Sequence, residues 1–260
     1  MTLFRDYIGI DYSGAQTPMA SLKGLRVYVA EGDEKPREVM PPLSPRRYWT
    51  RRGVAEWLCE RLRGTDPTMV GIDHGFSFPL AYFKQYELSG GWDQFLEDFC
   101  SHWPTDGEHI YVDFVLNGGH GNGAARMGNP RWLRLTEKRT RTATSVFRYH
   151  GQGCVGKSSH SGIPWLRFIR KELGSKVHFW PFDGWNPPDG VHVIAEVYPA
   201  LWKHRYAVES LTPDQQDAFA VCRWFQETDA KNDLGRWFQP SLSAVDLATA
   251  NIEGWILGVE

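Results

Sequence analysis

Tyr7-Ile-Gly-Ile-Asp11 and Met69-Val-Gly-Ile-Asp73 are two short apolar runs that close on nearly the same tetrad, Ile-Gly-Ile-Asp and Val-Gly-Ile-Asp. Their length and apolar character are those of buried strands. As parallel neighbours they would carry both carboxylates to the carboxyl ends of the strands, the edge where open α/β sheets bind ligands. Gly9 and Gly71, two residues earlier, lie on the same faces as the two acids and leave room there.

Outward from these runs, Val191-His-Val-Ile-Ala-Glu-Val197 is a third apolar strand, interrupted by Glu196 and turned at Tyr198-Pro199. After Asp11 a turn at Ser13-Gly14 leads to strand-like runs at 19–22 and 25–30, read as antiparallel hairpin partners. From Thr50 to Leu62 the apolar spacing is helical and Gly64 ends it. About 115 residues separate Asp73 from Val191, too many for one crossover, so an insertion is expected at about 80–190. It holds a Gly-rich stretch from Asn117 to Gly128 and a predicted helix from Pro164 to Leu173, capped near Ser161 or Gly162. Thr212-Pro213-Asp214 starts a further helix, whose run Ala218 to Phe225 is apolar on almost every side and therefore buried. Another helix spans Ala244 to Ile252. The order predicts one α/β domain over residues 1–260, a mixed sheet covered by helices.

Composition narrows the class. The 29 Lys+Arg against 31 Asp+Glu give a net charge of −2, which excludes a strongly basic nucleic-acid coat protein and an acidic disordered tail. A hydrophobic fraction of 42% is enough for a sizeable core. No run approaches the ~18 apolar residues of a membrane span, and Arg5 and Asp6 interrupt the place of a signal peptide, so a cytoplasmic protein without membrane association is expected. Cys59, Cys100, Cys154 and Cys222 form no CxxC pair and read as reduced packing residues.

Asp11, Asp73, Glu196 and Asp217 are four acids in apolar segments. A buried charge without a partner costs several kcal/mol or titrates to its neutral form. A divalent cation accounts for them: carboxylates suit Mg²⁺ or Mn²⁺, and a pair of such ions about 4 Å apart drives phosphodiester cleavage. The structural alternative gives Asp11 and Asp73 to turn capping and Asp217 to an ion pair with Arg223 or Arg205. Gly151 to Ser158 also satisfies G-x-x-x-x-G-K-[ST], a P-loop string, although Gly162 and Pro164 argue against the helix that must follow it. Asp11-Tyr-Ser-Gly14 fits an actin-like Asp-x-x-Gly loop. Residues 126–148 hold seven basic side chains against Glu137, a local net charge of +6 that faces phosphates or is a solvated loop. Arg46 to Arg52 repeats this basic and aromatic mixture, suited to single-stranded nucleic acid or to packing beside the first helix.

Taken together, Gly9-Ile-Asp11, Gly71-Ile-Asp73 with Phe78-Pro79, Gly156 to Leu166, Glu196-Val-Tyr-Pro199, Asp214-x-x-Asp217-Ala218 and Glu253-Gly-Trp-Ile256 resemble the domain-of-unknown-function family numbered 429. The resemblance implies a ribonuclease H-like fold with a five-stranded mixed sheet, the first strand central. It also implies Asp11, Asp73, Glu196 and Asp217 converging as metal ligands of a nuclease. The chain departs from that pattern in His74-Gly75 directly after Asp73 and in its long basic insertion. The resulting expectation is a Mg²⁺- or Mn²⁺-dependent nuclease or phosphodiesterase acting on nucleic acid or a small phosphodiester, with Lys157, Arg139 or Arg141 neutralising the phosphate. The alternatives are a nucleotide-hydrolysing enzyme of actin-like or P-loop type and a catalytically silent binding scaffold.

Overall fold

A computed structural model describes residues 2–140, 142–151 and 153–260. The strands are β1 (Asp6–Asp11), β2 (Arg26–Glu31), β3 (Arg37–Glu38), β4 (Thr68–Asp73), β5 (Val177–Trp180) and β6 (His192–Glu196). They form one mixed sheet of six strands in the order β3-β2-β1-β4-β6-β5. β1 pairs antiparallel with β2 and parallel with β4; β4 and β6, and β6 and β5, are parallel. The expected five strands become six, because β5, at the end of the stretch between β4 and β6, adds itself to the edge beside β6. Residues 19–22 are not a strand: they make turns, and the hairpin partner of β1 is β2 alone.

The helices are α1 (Arg51–Arg61), α2 (Leu80–Gln85), α3 (Gly91–His102), α4 (Val112–Leu116), α5 (Leu135–Arg139), α6 (Gly156–Leu173), α7 (Pro213–Ala230), α8 (Leu234–Trp237) and α9 (Ala244–Glu253). One face of the sheet (Ile8, Ile10, Val27, Val29, Val70, Ile72) packs against α1, α3 and α6, with Leu58, Phe99 and Ile163 among the buried contacts. The other face (Tyr7, Tyr28, Met69, Val193, Ala195) packs against α7 through Ala218, Val221, Cys222 and Phe225. Alternation along each strand thus feeds two cores, as the period of two requires.

The glycines of the twin tetrads explain how α7 lies. A Cβ at Gly9 would stand 2.2 Å from the carbonyl oxygen of Ala218, and one at Gly71 would stand 2.7 Å from the Phe225 ring. The room expected beside the acids is filled by this helix, which approaches β1 backbone to backbone at Gly9 and packs its side chains on β4 at Gly71. Cys222 Sγ donates to the Tyr7 carbonyl at 3.2 Å, and Asp229 near the end of α7 accepts from the Tyr7 hydroxyl and from the Leu3 and Phe4 amides. α7 therefore runs against the direction of β1, and its first turns, with Asp214 and Asp217, arrive beside Asp11.

α6 begins at Gly156, eight residues earlier than predicted, and carries Pro164 in its interior. Proline removes one helical donor, which leaves the carbonyl four residues back without its bond. That carbonyl is His160's, and Thr105 Oγ1 donates to it at 2.6 Å. A tertiary contact replaces the missing helical one, so the helix continues.

Candidate functional site

Register sets the first two acids side by side: Asp11 pairs with Asp73 across β1 and β4, and Ile72 with Glu196 across β4 and β6. Asp11, Asp73, Glu196 and Asp217 all line one cavity of about 540 Å³ at the carboxyl edge of these parallel strands. Asp214, Lys203, His74 and Arg134 line it too. The loop after Asp11 is held in place by Arg51, a fully buried side chain that donates to the carbonyls of Ser13, Ala15 and Gln16 at 2.7–3.1 Å. Within the Arg46–Arg52 segment, Arg51 and the buried Trp49 thus serve the fold.

The four acids differ in electrostatic condition. Burial raises the proton affinity of Asp11 well above the usual carboxylate range, and Asp73, Asp217 and Asp214 add to it. Asp73 is raised in the same way by burial, then by Asp217 and Glu196. Burial also raises Asp217, against the opposing pull of Lys203. The Lys203 ammonium lies 3.4 Å from Asp217 Oδ1, a buried oxygen that accepts no hydrogen bond among the described residues. The ion-pair partner of Asp217 is thus Lys203; Arg205 pairs with Glu227, and Arg223 bonds Gln226.

Glu196 has its charge answered. Arg134, itself buried, meets both its oxygens, with Nη1 at 2.7 Å from Oε2, and the Phe76 amide donates to Oε2 at 3.0 Å. Arg134 also bonds Glu137 through Nε at 2.7 Å. Burial alone would lower the proton affinity of Arg134, yet Glu196 and Glu137 together raise it well beyond the ordinary guanidinium. Removing one partner of such a buried set would leave a bare charge, at a cost of about 3–5 kcal/mol. Glu196 is therefore bound into the wall of the cavity, while among the described residues Asp11 and Asp73 make no ion pair or side-chain hydrogen bond and Asp217 has Lys203 alone.

The proposed phosphate contacts lie elsewhere. Lys157 Nζ pairs with Asp113 at 2.7 Å and Arg139 with Asp246 at 2.9 Å, and neither lines the cavity; Arg141 lies outside the described residues. The P-loop string is followed directly by helix α6, as that motif requires, but Ser145–His150 before it is not a strand. Lys203, the partner of the acids, has no local signal in the sequence beyond its place one helical turn after the third acidic strand. Arg134 was hidden in a basic run, with Glu137 three residues on as its only local sign.

Among the described residues, no three or more His, Cys, Asp or Glu side chains are gathered closely enough to hold a metal ion. The donor chemistry nevertheless suits a hard cation: oxygen ligands, mutual repulsion and an unbonded Asp217 oxygen. Comparison of the chain with protein-family models, curated proteins and solved structures finds no match. None of the described helices is long and apolar enough to cross a membrane.

Proposed function

We propose that the cavity binds a divalent cation, Mg²⁺ or Mn²⁺, and hydrolyses phosphate esters of the phosphodiester class. The observation that carries this reading is the set of three under-compensated carboxylates, Asp11, Asp73 and Asp217, from two strand ends and one helix around one cavity. Asp11 and Asp217 would be foremost in holding the cation, with Asp73 completing the set, which requires the three to draw closer together than they stand here. Bound there, the cation would supply a Lewis acid for a phosphoryl oxygen and activate water. Glu196, gripped by Arg134, shapes the wall and adds negative potential to Asp73. Lys203, which lines the cavity beside Asp217, balances the acids and is available to an incoming phosphate. The order β3-β2-β1-β4-β6, with β1 central and antiparallel only to β2, supports a ribonuclease H-like arrangement to which β5 is an edge addition.

The test measures Mn²⁺ binding and hydrolysis together. Mn²⁺ should raise the melting temperature of the wild type by mass action, and Asp11→Asn and Asp217→Asn should blunt the rise. Both variants should lose cleavage of bis(p-nitrophenyl) phosphate and of labelled oligonucleotide by about 100-fold or more, since groups that only support a ligand already cost about 10–100-fold. Lys157→Ala should keep both, because its ammonium serves Asp113. ATP hydrolysis lost in Lys157→Ala but kept in Asp217→Asn would replace this reading with a P-loop enzyme. A wild type that neither binds Mn²⁺ nor cleaves would replace it with a silent scaffold.

A further inference from the structure

Of the six described cations in the basic segment 126–148, three are consumed by internal pairs: Arg126 holds Asp98, Arg134 holds Glu137 and Glu196, and Arg139 holds Asp246, while Arg148 is exposed and makes no ion pair among the described residues. Arg131 and Lys138 are different. Both are exposed, and among the described residues neither charged group makes an ion pair or hydrogen bond. Both line a groove of about 440 Å³ on the far side of α5 from the acid cavity. Lys84 of α2, exposed and equally unpaired, lines it too, as does the half-buried Trp132, whose ring lies at 78° to that of Phe147.

The groove has two acids, and both are already answered. Glu253 accepts the amides of Leu80, at 2.6 Å, and of Leu135, while Asp246 is neutralised by Arg139. Three cations without ion pairs among the described residues, in a groove that also presents a tryptophan, suit a flexible phosphate backbone with a base stacked on the ring. An acidic peptide would satisfy the charges but leave the tryptophan unused. α5 and its N-cap lie between the two cavities: Arg134 and Glu137 line the acid side, Leu135 and Lys138 the groove. A helix with its side chains is only about 10 Å across, so a strand leaving the acid cavity over Lys138 enters the groove.

We propose that this groove binds single-stranded nucleic acid, and that the substrate of the acid cavity is accordingly a polynucleotide; the second clause rests on the hydrolase reading above. The test uses the full chain in EDTA with a fluorescently labelled oligothymidine, followed by anisotropy across a salt series. The wild type should bind, and Lys84→Ala/Arg131→Ala/Lys138→Ala should lower the slope of log K against log salt by about 2, at about 0.7 per phosphate contact on single strands. Trp132→Ala should weaken binding roughly tenfold, and Trp132→Phe should restore most of it. No binding by the wild type, an unchanged affinity and slope in the triple variant, or displacement of the strand by polyglutamate as readily as by unlabelled strand would overturn the groove. The two readings fail separately. Strand binding in EDTA without any Mn²⁺-dependent cleavage would sink the hydrolase and leave the groove. With Mn²⁺, the triple variant should hydrolyse bis(p-nitrophenyl) phosphate as the wild type does but show a raised KM for oligonucleotide; an unchanged KM would sink the groove and leave the hydrolase.

Discussion

Burial and the carboxylates of Asp73, Asp217 and Asp214 together make the charge of Asp11 costly at neutral pH, with Lys203 as a partial offset. Asn has nearly the same shape and no charge. In EDTA, Asp11→Asn should therefore stabilise the protein, by about 1 kcal/mol on the scale of other relieved functional sites, as read by urea unfolding. A destabilised variant would mean that Asp11 is a structural cap, which is the alternative the sequence left open. Glu196 and Asp11 look alike in the sequence, each the polar end of an apolar strand. What separates them is Arg134, 62 residues from Glu196 along the chain and in contact with it only after folding.

The helix–sheet contact that aims Asp217 at the strand ends depends on two glycines of unequal tolerance. At Gly9 the added methyl would meet backbone, the Ala218 carbonyl at 2.2 Å and the Cys222 nitrogen at 2.8 Å; at Gly71 it would meet side-chain atoms of Phe225 and Val221. Side chains can rotate aside, but a helix backbone must move as a body. Gly9→Ala should thus cost more stability than Gly71→Ala, within the overpacking range of about 1–3 kcal/mol for the milder change, and should also weaken Mn²⁺ binding by displacing Asp217. Equal costs would show that α7 yields as easily as a side chain. α1, α7 and α9 were legible as elements because their caps are local: Thr50 accepts from the Gly53 amide, Thr212 from Gln215 and Ser243 from Asp246. The start of α6 was not, because the contact that tolerates Pro164 comes from Thr105, distant in sequence.

Across the whole molecule, two buried histidines contribute to the acid response. Burial pulls His74 down to about 4 and His160 to about 3, from an ordinary 6.5. The unfolded chain takes up these protons near 6.5 and the native state only near the lowered values, so the stability they contribute is complete above 6.5 and is lost as the pH falls toward 4 and 3. Asp11 and Asp73 act in the opposite sense, since their raised native values make protonation favour the folded state. A difference measurement separates the two. His160→Gln loses the bond from the Tyr149 hydroxyl and starts less stable, but its gap to the wild type should narrow by about 1.4 kcal/mol per pH unit between pH 6 and 4. A gap independent of pH would mean that His160 titrates normally in the fold.

The α/β class, the principal strands and the capped helices were determined by the sequence itself, because strand alternation and helix caps are written within a few residues of one another. So was the identity of the acids, since a carboxylate closing an apolar strand is conspicuous wherever the strand lies. Only the tertiary structure decided which acids are free: Arg134 takes Glu196, Lys203 stands by Asp217, and Lys157 turns to Asp113. It also decided that the sheet has a sixth strand and that, among the described residues, Arg131 and Lys138 make no ion pair in the groove they share with Trp132. The physical reason is common to all of these. An ion pair or an edge pairing joins residues far apart in the chain, and a charge is compensated by what folding brings near it, which no local pattern records.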